Sequence, residues 1–317
     1  MQGDKKTWGK GVSVKHFVEE MFFNPQWYHY LFILLMFPFS LIYGSIMYVR
    51  RTFAKAQNYD IPIVSVGNLI VGGSGKTPFV IALALQYADV FVISRGYGRK
   101  SIGFKEVSAK GKVLVNVDVS GDEAMLMARS LPNASVLVSE NRHMAIDFAK
   151  SQGAKCIILD DGFSRVDIEK FDILLEPNSI KNHYTFPAGP FREFLSTRRK
   201  ADIIAKEDFD FRREVTIENV TQRMILVTAI SNPLRLDTYL PKYVVHKVYY
   251  DDHSYFDEIV LKKLLEEYQA TSILCTSKDK VKMHGFKLSI SEMKLKLEIK
   301  KEILTQIDEY IEGQTNA

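Results

Sequence analysis

The stretch Gly67–Phe79, GNLIVGGSGKTPF, decides how this chain is read. An apolar run, Ile61–Val66, precedes it, and a helical pattern, Phe79–Ala88, follows. A glycine-rich turn between a strand and a helix is the arrangement that cradles phosphate. Gly72, Gly73 and Gly75, with Ser74 among them, let backbone N–H groups turn inward around an anion. The helix N-terminus adds its partial positive charge. In this reading Lys76 reaches the outer phosphates of a nucleotide and the Thr77 hydroxyl holds Mg²⁺. Pro78 falls in the first helical turn, where its missing N–H costs nothing. The common pattern G-x-x-x-x-G-K-[ST] asks for glycine at position 70, and Ile70 stands there. The turn therefore opens differently, but the GGSGKT core is intact. An accidental glycine turn is the alternative.

A second feature supports the nucleotide reading. Cys156–Asp161, CIILDD, is an apolar strand that ends in two aspartates. An acid at the end of a neighbouring strand, here Asp160, is placed to hold Mg²⁺ beside the phosphates. Strands also end in Asp for turn reasons alone, so this signal depends on the loop.

Further strands are expected at Val90–Ser94, Ser135–Val138, Asp172–Leu175 and Asp202–Ala205, with helices at Asp122–Ser130 and Arg142–Gln152. Strands alternating with helices predict an α/β fold, a P-loop NTPase domain whose parallel sheet carries helices on both faces. The apolar pattern weakens over 215–223, which reads as a linker. Beyond it Met224–Ile230, Val244–Val248 and Ser272–Cys275, with a helix at Glu258–Gln269, predict a smaller second α/β domain. The expected organisation is 1–54 as an N-terminal segment, 55–214 as the nucleotide domain and 224–317 as the second domain.

The N-terminal segment is distinctive. Tyr28–Val49 carries no Lys, Arg, Asp or Glu, and is long enough to cross a bilayer as a hydrophobic membrane helix. Pro38 falls near its middle, and Tyr28, Tyr30, Tyr43 and Tyr48 suit a membrane interface. Lys5, Lys6, Lys10 and Lys15 precede the run and Arg50 and Arg51 follow it, so the flanking charge gives no single orientation. A helix lying in one leaflet fits as well as a full span, and a buried core helix is the remaining alternative. Residues 1–60 carry three of the four net positive charges of the chain, so its basicity belongs to this segment and gives no reason to invoke nucleic acid. The two cysteines, Cys156 and Cys275, lie far apart in apolar runs and read as buried strand residues.

Four more stretches bear on what receives the phosphate: Ser94–Arg99, SRGYGR; Gly121-Asp122-Glu123 at a helix start; Phe186–Glu193, FPAGPFRE; and Asp252-His253. With GGSGKTP, Asp160-Asp161-Gly162-Phe163 and Thr276-Ser277-Lys278-Asp279, their order resembles the tetraacyldisaccharide 4'-kinase family of lipid A synthesis. The family loop itself lacks the glycine missing at position 70. The departure is Ser164-Arg165, where the family usually has Gln-His.

The resemblance implies transfer of the ATP γ-phosphate to the 4'-hydroxyl of an acylated glucosamine disaccharide 1-phosphate lipid, at the cytoplasmic face of the bacterial inner membrane. It implies Asp122 as the base with His253 beside it, and Lys76 stabilising the phosphoryl group. Thr77, Asp160 and Glu193 become metal ligands, and Asn68, Arg95, Arg142 and Arg192 substrate contacts. On the residues alone Asp122 reads first as a helix cap and His253 as a turn histidine, and only the resemblance reverses this; Glu193 is equally a partner of Arg192, and each arginine a surface charge. The competing function is a partner-stimulated GGxGKT-type regulatory or assembly NTPase at the membrane.

Overall fold

The structure, a computed structural model, describes residues 14–72, 75–177 and 179–315. Gly73 and Ser74 of the loop, and Lys5, Lys6 and Lys10 of the basic flank, lie outside the described residues. The chain forms two compact units. The first contains the described residues up to Ala54 with Leu69–Val71 and Pro177–Lys200, and the second contains everything else.

The second unit is built on an eight-stranded sheet. Its strands are β1 (Ile63–Gly67), β2 (Val90–Ser94), β3 (Lys105–Ala109), β4 (Lys112–Val113), β5 (Ser135–Val138), β6 (Cys156–Asp160), β7 (Phe171–Glu176) and β8 (Ile203–Lys206), in the order β4-β3-β5-β2-β6-β1-β7-β8. From β5 to β8 all pairings are parallel. β1, β2, β5 and β6 are buried along their whole length, as strands covered on both faces must be. Successive side chains point to opposite faces, and the core divides accordingly. Val64, Val66 and Ile158 pack with helices α3 (Lys76–Ala84) and α5 (Asp122–Ser130), which follows the one-turn α4 (Val117–Ser120). Ile63, Ile157 and Leu159 pack on the other side with Ala145, Ile146 and Ala149 of α6 (Arg142–Ser151). The edge hairpin β3–β4 is antiparallel, and its charged, half-exposed residues carried no apolar signal in the sequence.

A second sheet of the same unit contains β9 (Phe211–Glu218), β10 (Met224–Thr228), β11 (Val244–Tyr249), β12 (Ser272–Thr276) and β13 (Ile290–Ile299), ordered β11-β10-β12-β13-β9. Helix α7 (Glu258–Glu267) precedes β12, the short α8 (Ser277–Lys280) follows it, and α9 (Lys301–Thr315) ends the chain. The segment 215–223 read as a linker is partly strand: β9 runs antiparallel to β13 through Glu218. Alternate β9 residues are exposed, the pattern of a sheet edge with one wet face, which a search for continuous apolar runs passes over.

The two sheets share one core. Phe211 of β9, Leu297 and Ile299 of β13, and Ile303 and Ile307 of α9 join the α3–α5 side of the first sheet. The rings of Phe79 and Phe211 meet edge to face at 5.4 Å. Such a core unfolds as a unit. Phe211→Ala lowers the unfolding free energy by about 3–5 kcal/mol. In urea, probes in the two sheets follow one shared transition, and separate midpoints for the two sheets would refute the shared core.

The first unit carries α1 (Val14–Phe23) and α2 (His29–Phe53), with Pro38 inside the longer helix. The buried residues of α2 are His29, Ile33, Ser40 and Gly44, spaced as one helical stripe. Ser40 donates to the Thr185 carbonyl at 2.6 Å, and a Cβ on Gly44 would stand 2.5 Å from the Phe194 ring. Arg51 continues the stripe with a forked pair to Glu193, Nε to Oε2 at 2.7 Å and Nη2 to Oε1 at 2.9 Å.

Candidate active site

The charged residues of the second unit gather where the parallel strands end, the position at which open α/β sheets bind ligands. β1 delivers the chain to the phosphate loop through Gly67, where a Cβ would stand 2.5 Å from that of Phe163, so only glycine fits. Gly75 closes the loop with φ +75°, a conformation that L side chains avoid, and caps α3. The Arg213 guanidinium of β9 lies against it: a Cβ on Gly75 would be 2.1 Å from Nη2. Lys76, the first residue of α3, donates to Asn68 Oδ1 at 3.1 Å and pairs with Asp161 Oδ1 at 3.3 Å. Asn68 is buried, and its amide nitrogen has no hydrogen-bond partner among the described residues.

Asp160 ends β6 and is buried, accepting a hydrogen bond from Ser94 Oγ at 2.8 Å. Burial pushes its carboxyl up to about 6, with the charges of Glu123 and Asp161 acting the same way and Lys76 opposing them. Arg142 opens α6 after the Asn141 cap. Its guanidinium donates to the carbonyls of Ser139 and, at 3.3 Å, Asp160, while Nε has no partner among the described residues. Burial lowers its pKa to about 10. Arg95 is exposed at the end of β2, near enough to Arg142 to act on it electrostatically. Arg165, the position that departs from the family pattern, donates to Asp167 Oδ2 at 2.7 Å.

Asp122 and His253 come together from 131 positions apart. Gly121, rather than Asp122, is the cap of α5, and Asp122 is its first residue. His253 follows β11 on a turn with φ 63° and donates its backbone N–H to the Ala229 carbonyl at 3.2 Å. Its Nδ1 lies 3.0 Å from both carboxylate oxygens of Asp122. Lys278 and Lys282 stand 3.8 and 3.7 Å from the same carboxylate. Burial pushes Asp122 up, but His253 and the two lysines outweigh it and hold the carboxyl below its usual range. The hydrogen bond to Asp122 raises His253 above its usual value, against burial and Lys278. Neither lysine was singled out as a site residue in the sequence. Lys278 sits within the quoted Thr276–Asp279 motif, and that was the signal available.

Two candidates, Arg192 and Glu193, belong to the first unit. Glu193 is buried and engaged by Arg51, a partner from α2 that the sequence reading did not name.

A glycine-rich loop on α3, its lysine, and an acid at the end of the adjacent strand β6 define a P-loop nucleotide-using enzyme. The family model for tetraacyldisaccharide-1-P 4'-kinases matches residues 32–220 and 210–312. Tetraacyldisaccharide 4'-kinases from Helicobacter pylori strain HPAG1 and Aliarcobacter butzleri are 46% and 47% identical over 94% and 86% of this chain, spanning 96% and 88% of their own. That of Campylobacter jejuni strain 81-176 is 36% identical over 92% of this chain and 96% of its own. The crystal structure of LpxK from Aquifex aeolicus in complex with ATP superposes with a TM-score of 0.75 at 28% identity, covering 88% of this chain and 99% of that one. The chain belongs to the tetraacyldisaccharide-1-P 4'-kinase family and is a kinase. The regulatory or assembly NTPase is accordingly not favoured.

The Asp122–His253 pair has a definite pH signature. A raised histidine stabilises the fold fully below its unfolded value of 6.5, and the contribution is lost as pH rises through the higher folded value. A lowered carboxyl stabilises above its unfolded value of 3.8, and the contribution is lost as pH falls through the lower folded value. The stability gap between wild type and His253→Gln is therefore widest between about pH 4 and 6.5 and narrows toward alkaline pH. Thermal melts across pH 5–9 check this, and a gap that widens with pH would refute the ion pair.

Proposed function

We propose that this kinase transfers the γ-phosphate of ATP to the 4'-hydroxyl of a tetraacylated glucosamine disaccharide 1-phosphate, at the cytoplasmic face of the inner membrane. The observation that carries the mechanism is the buried Asp122 carboxylate with His253 Nδ1 at 3.0 Å. The acceptor oxygen attacks the γ-phosphorus, the bond to the β-phosphate oxygen breaks, and ADP leaves. Asp122 accepts the hydroxyl proton as the new P–O bond forms, and His253 holds the carboxylate in place. Phosphoryl transfer asks mainly for positioning and charge, so a carboxylate of low pKa suffices. Lys76 moves from its bonds to Asn68 and Asp161 onto the phosphate oxygens. Asn68, with its unpartnered amide nitrogen, and Arg142, with its unpartnered Nε, hold the polar headgroup, aided by Arg95. Arg192 rests on the resemblance alone.

The donor set fits Mg²⁺. Among the described residues no three His, Cys, Asp or Glu side chains form a metal cage. Mg²⁺ needs none, since it keeps waters and phosphate oxygens and takes one or two carboxylates. Asp160, pushed up by burial and then by its acidic neighbours, gains by facing a cation, and Thr77 supplies the hydroxyl. Bound there, Mg²⁺ would neutralise charge on the phosphates. Glu193, already forked to Arg51, is the weakest member of the expected ligand set.

Helix α2 supports attachment to the membrane surface rather than a crossing. It is the one helix among the described residues long and apolar enough to span. Yet its stripe from His29 to Arg51, about 33 Å at 1.5 Å per residue, packs within the same unit, His29 against Phe17 of α1 and Ser40, Gly44 and Arg51 against the polar segment 177–200. A lone span would have to strip that stripe into lipid. Leu31, Leu34, Leu35, Leu41, Ile42 and Ile46 remain exposed and suit the headgroup–acyl boundary.

Mass spectrometry of a detergent-dispersed disaccharide 1-phosphate lipid incubated with Mg·ATP checks the activity. Wild type adds one phosphoryl group, chelating Mg²⁺ abolishes the gain, and Asp122→Asn slows it by about 10²–10⁴-fold. ATP hydrolysis over an unchanged lipid would sink the proposal. For topology, Trp27→Cys and Lys55→Cys both react with an impermeant maleimide on inside-out vesicles. Labelling of position 27 only from the opposite side would establish a span.

A further inference from the structure

Two lysines, Lys278 on α8 and Lys282 on the 3₁₀ turn that follows it, surround Asp122. α8 begins at its Thr276 cap, which accepts from the Asp279 N–H at 3.2 Å. The Asp279 carboxylate is wholly buried and accepts from Thr276 Oγ1 at 2.7 Å, Thr228 Oγ1 at 2.7 Å and the Ala229 N–H at 3.0 Å. Ala229 in turn accepts the His253 N–H, so α8 and the histidine turn are fixed to the same end of β10. Lys282 is buried between Asp279 at 3.4 Å and Asp122 at 3.7 Å, over the Phe256 ring.

Lys278 is placed differently. Its Nζ lies 3.2 Å from Glu123, 3.7 Å from Asp252 and 3.8 Å from Asp122. Glu123 adjoins Asp122 on α5, and Asp252 adjoins His253 on its turn. One ammonium thus grips the chain neighbour of each member of the pair. Without it three carboxylates face one another with one fewer cation, and their repulsion pushes the Asp252-His253 turn away from α5.

We propose that Lys278 is a positioning residue for phosphoryl transfer, clamping the His253 turn onto the helix that carries Asp122. This rests on reading Asp122 and His253 as the reacting pair. The clamp acts through His253, so its loss lowers kcat and leaves the KM for ATP nearly unchanged. Supporting groups of this kind are worth about 10–100-fold.

The test is a double-mutant cycle on the full-length enzyme with Mg·ATP and the disaccharide lipid in detergent, with thermal melts of every variant. Asp122→Asn and His253→Ala come first: wild-type kcat in either overturns the reading of the pair and the clamp with it. Given their loss, Lys278→Met is expected to reduce kcat by about 10–100-fold, Lys278→Arg to restore most of it, and Lys278→Met in the His253→Ala background to cost no more than about two-fold further. Full loss again in that background, or no loss in Lys278→Met alone, refutes the clamp while the pair stands. Should Lys278→Met fail to fold, Asp252→Asn releases the same clamp from its other end. It is expected to lower kcat with KM for ATP unchanged, again without further cost beside His253→Ala, and wild-type kcat in Asp252→Asn refutes the clamp.

Discussion

A buried carboxylate stays charged only while cations face it, and Asp122 meets that condition with groups from distant chain segments. Its helix belongs to the first sheet, whereas His253, Lys278 and Lys282 come from the ends of strands and turns of the second. Charge pairing and the shared apolar core therefore act on the same two sheets. The core around Phe79 and Phe211 supplies non-directional burial energy. The ion cluster supplies direction, because an ammonium or imidazole a few ångströms out of place leaves a charge unpaired.

What was legible in the sequence follows from how each signal is written. β2, β5 and α5 were readable to the residue because buried parallel strands are continuous apolar runs and α5 starts with its acids. The loop was readable because its glycines, lysine and proline are consecutive. β9 and the β3–β4 hairpin were not, since one face of each is wet and their alternation is charged. The joining of Asp122 to His253 has no local signal at all. It came from resemblance, and only the fold displays the lysines that make the pair tolerable.

The first unit shows the same limit. Apolar composition made α2 obvious, but composition cannot distinguish a helix that crosses lipid from one that lies along a protein surface. Ser40, Gly44 and Arg51 are spaced on one stripe and each is fitted to a partner in 177–200, which is what supports the proposed surface attachment. The Glu193 pairing is likewise invisible in FPAGPFRE, where the adjacent Arg192 is the tempting partner.

Two aspartates at the strand ends are driven in opposite directions by their surroundings. Asp122 is pulled down by His253 and two lysines, while Asp160 is pushed up by burial and by two other acids. Diverging environments of this kind separate roles that identical side chains would otherwise share. Asp122 keeps its charge because those cations face it, so in the proposed reaction it can face a neutral hydroxyl and take its proton. Asp160 is short of positive charge, so in the proposed reading a divalent cation held there would relieve a cost already built into the fold.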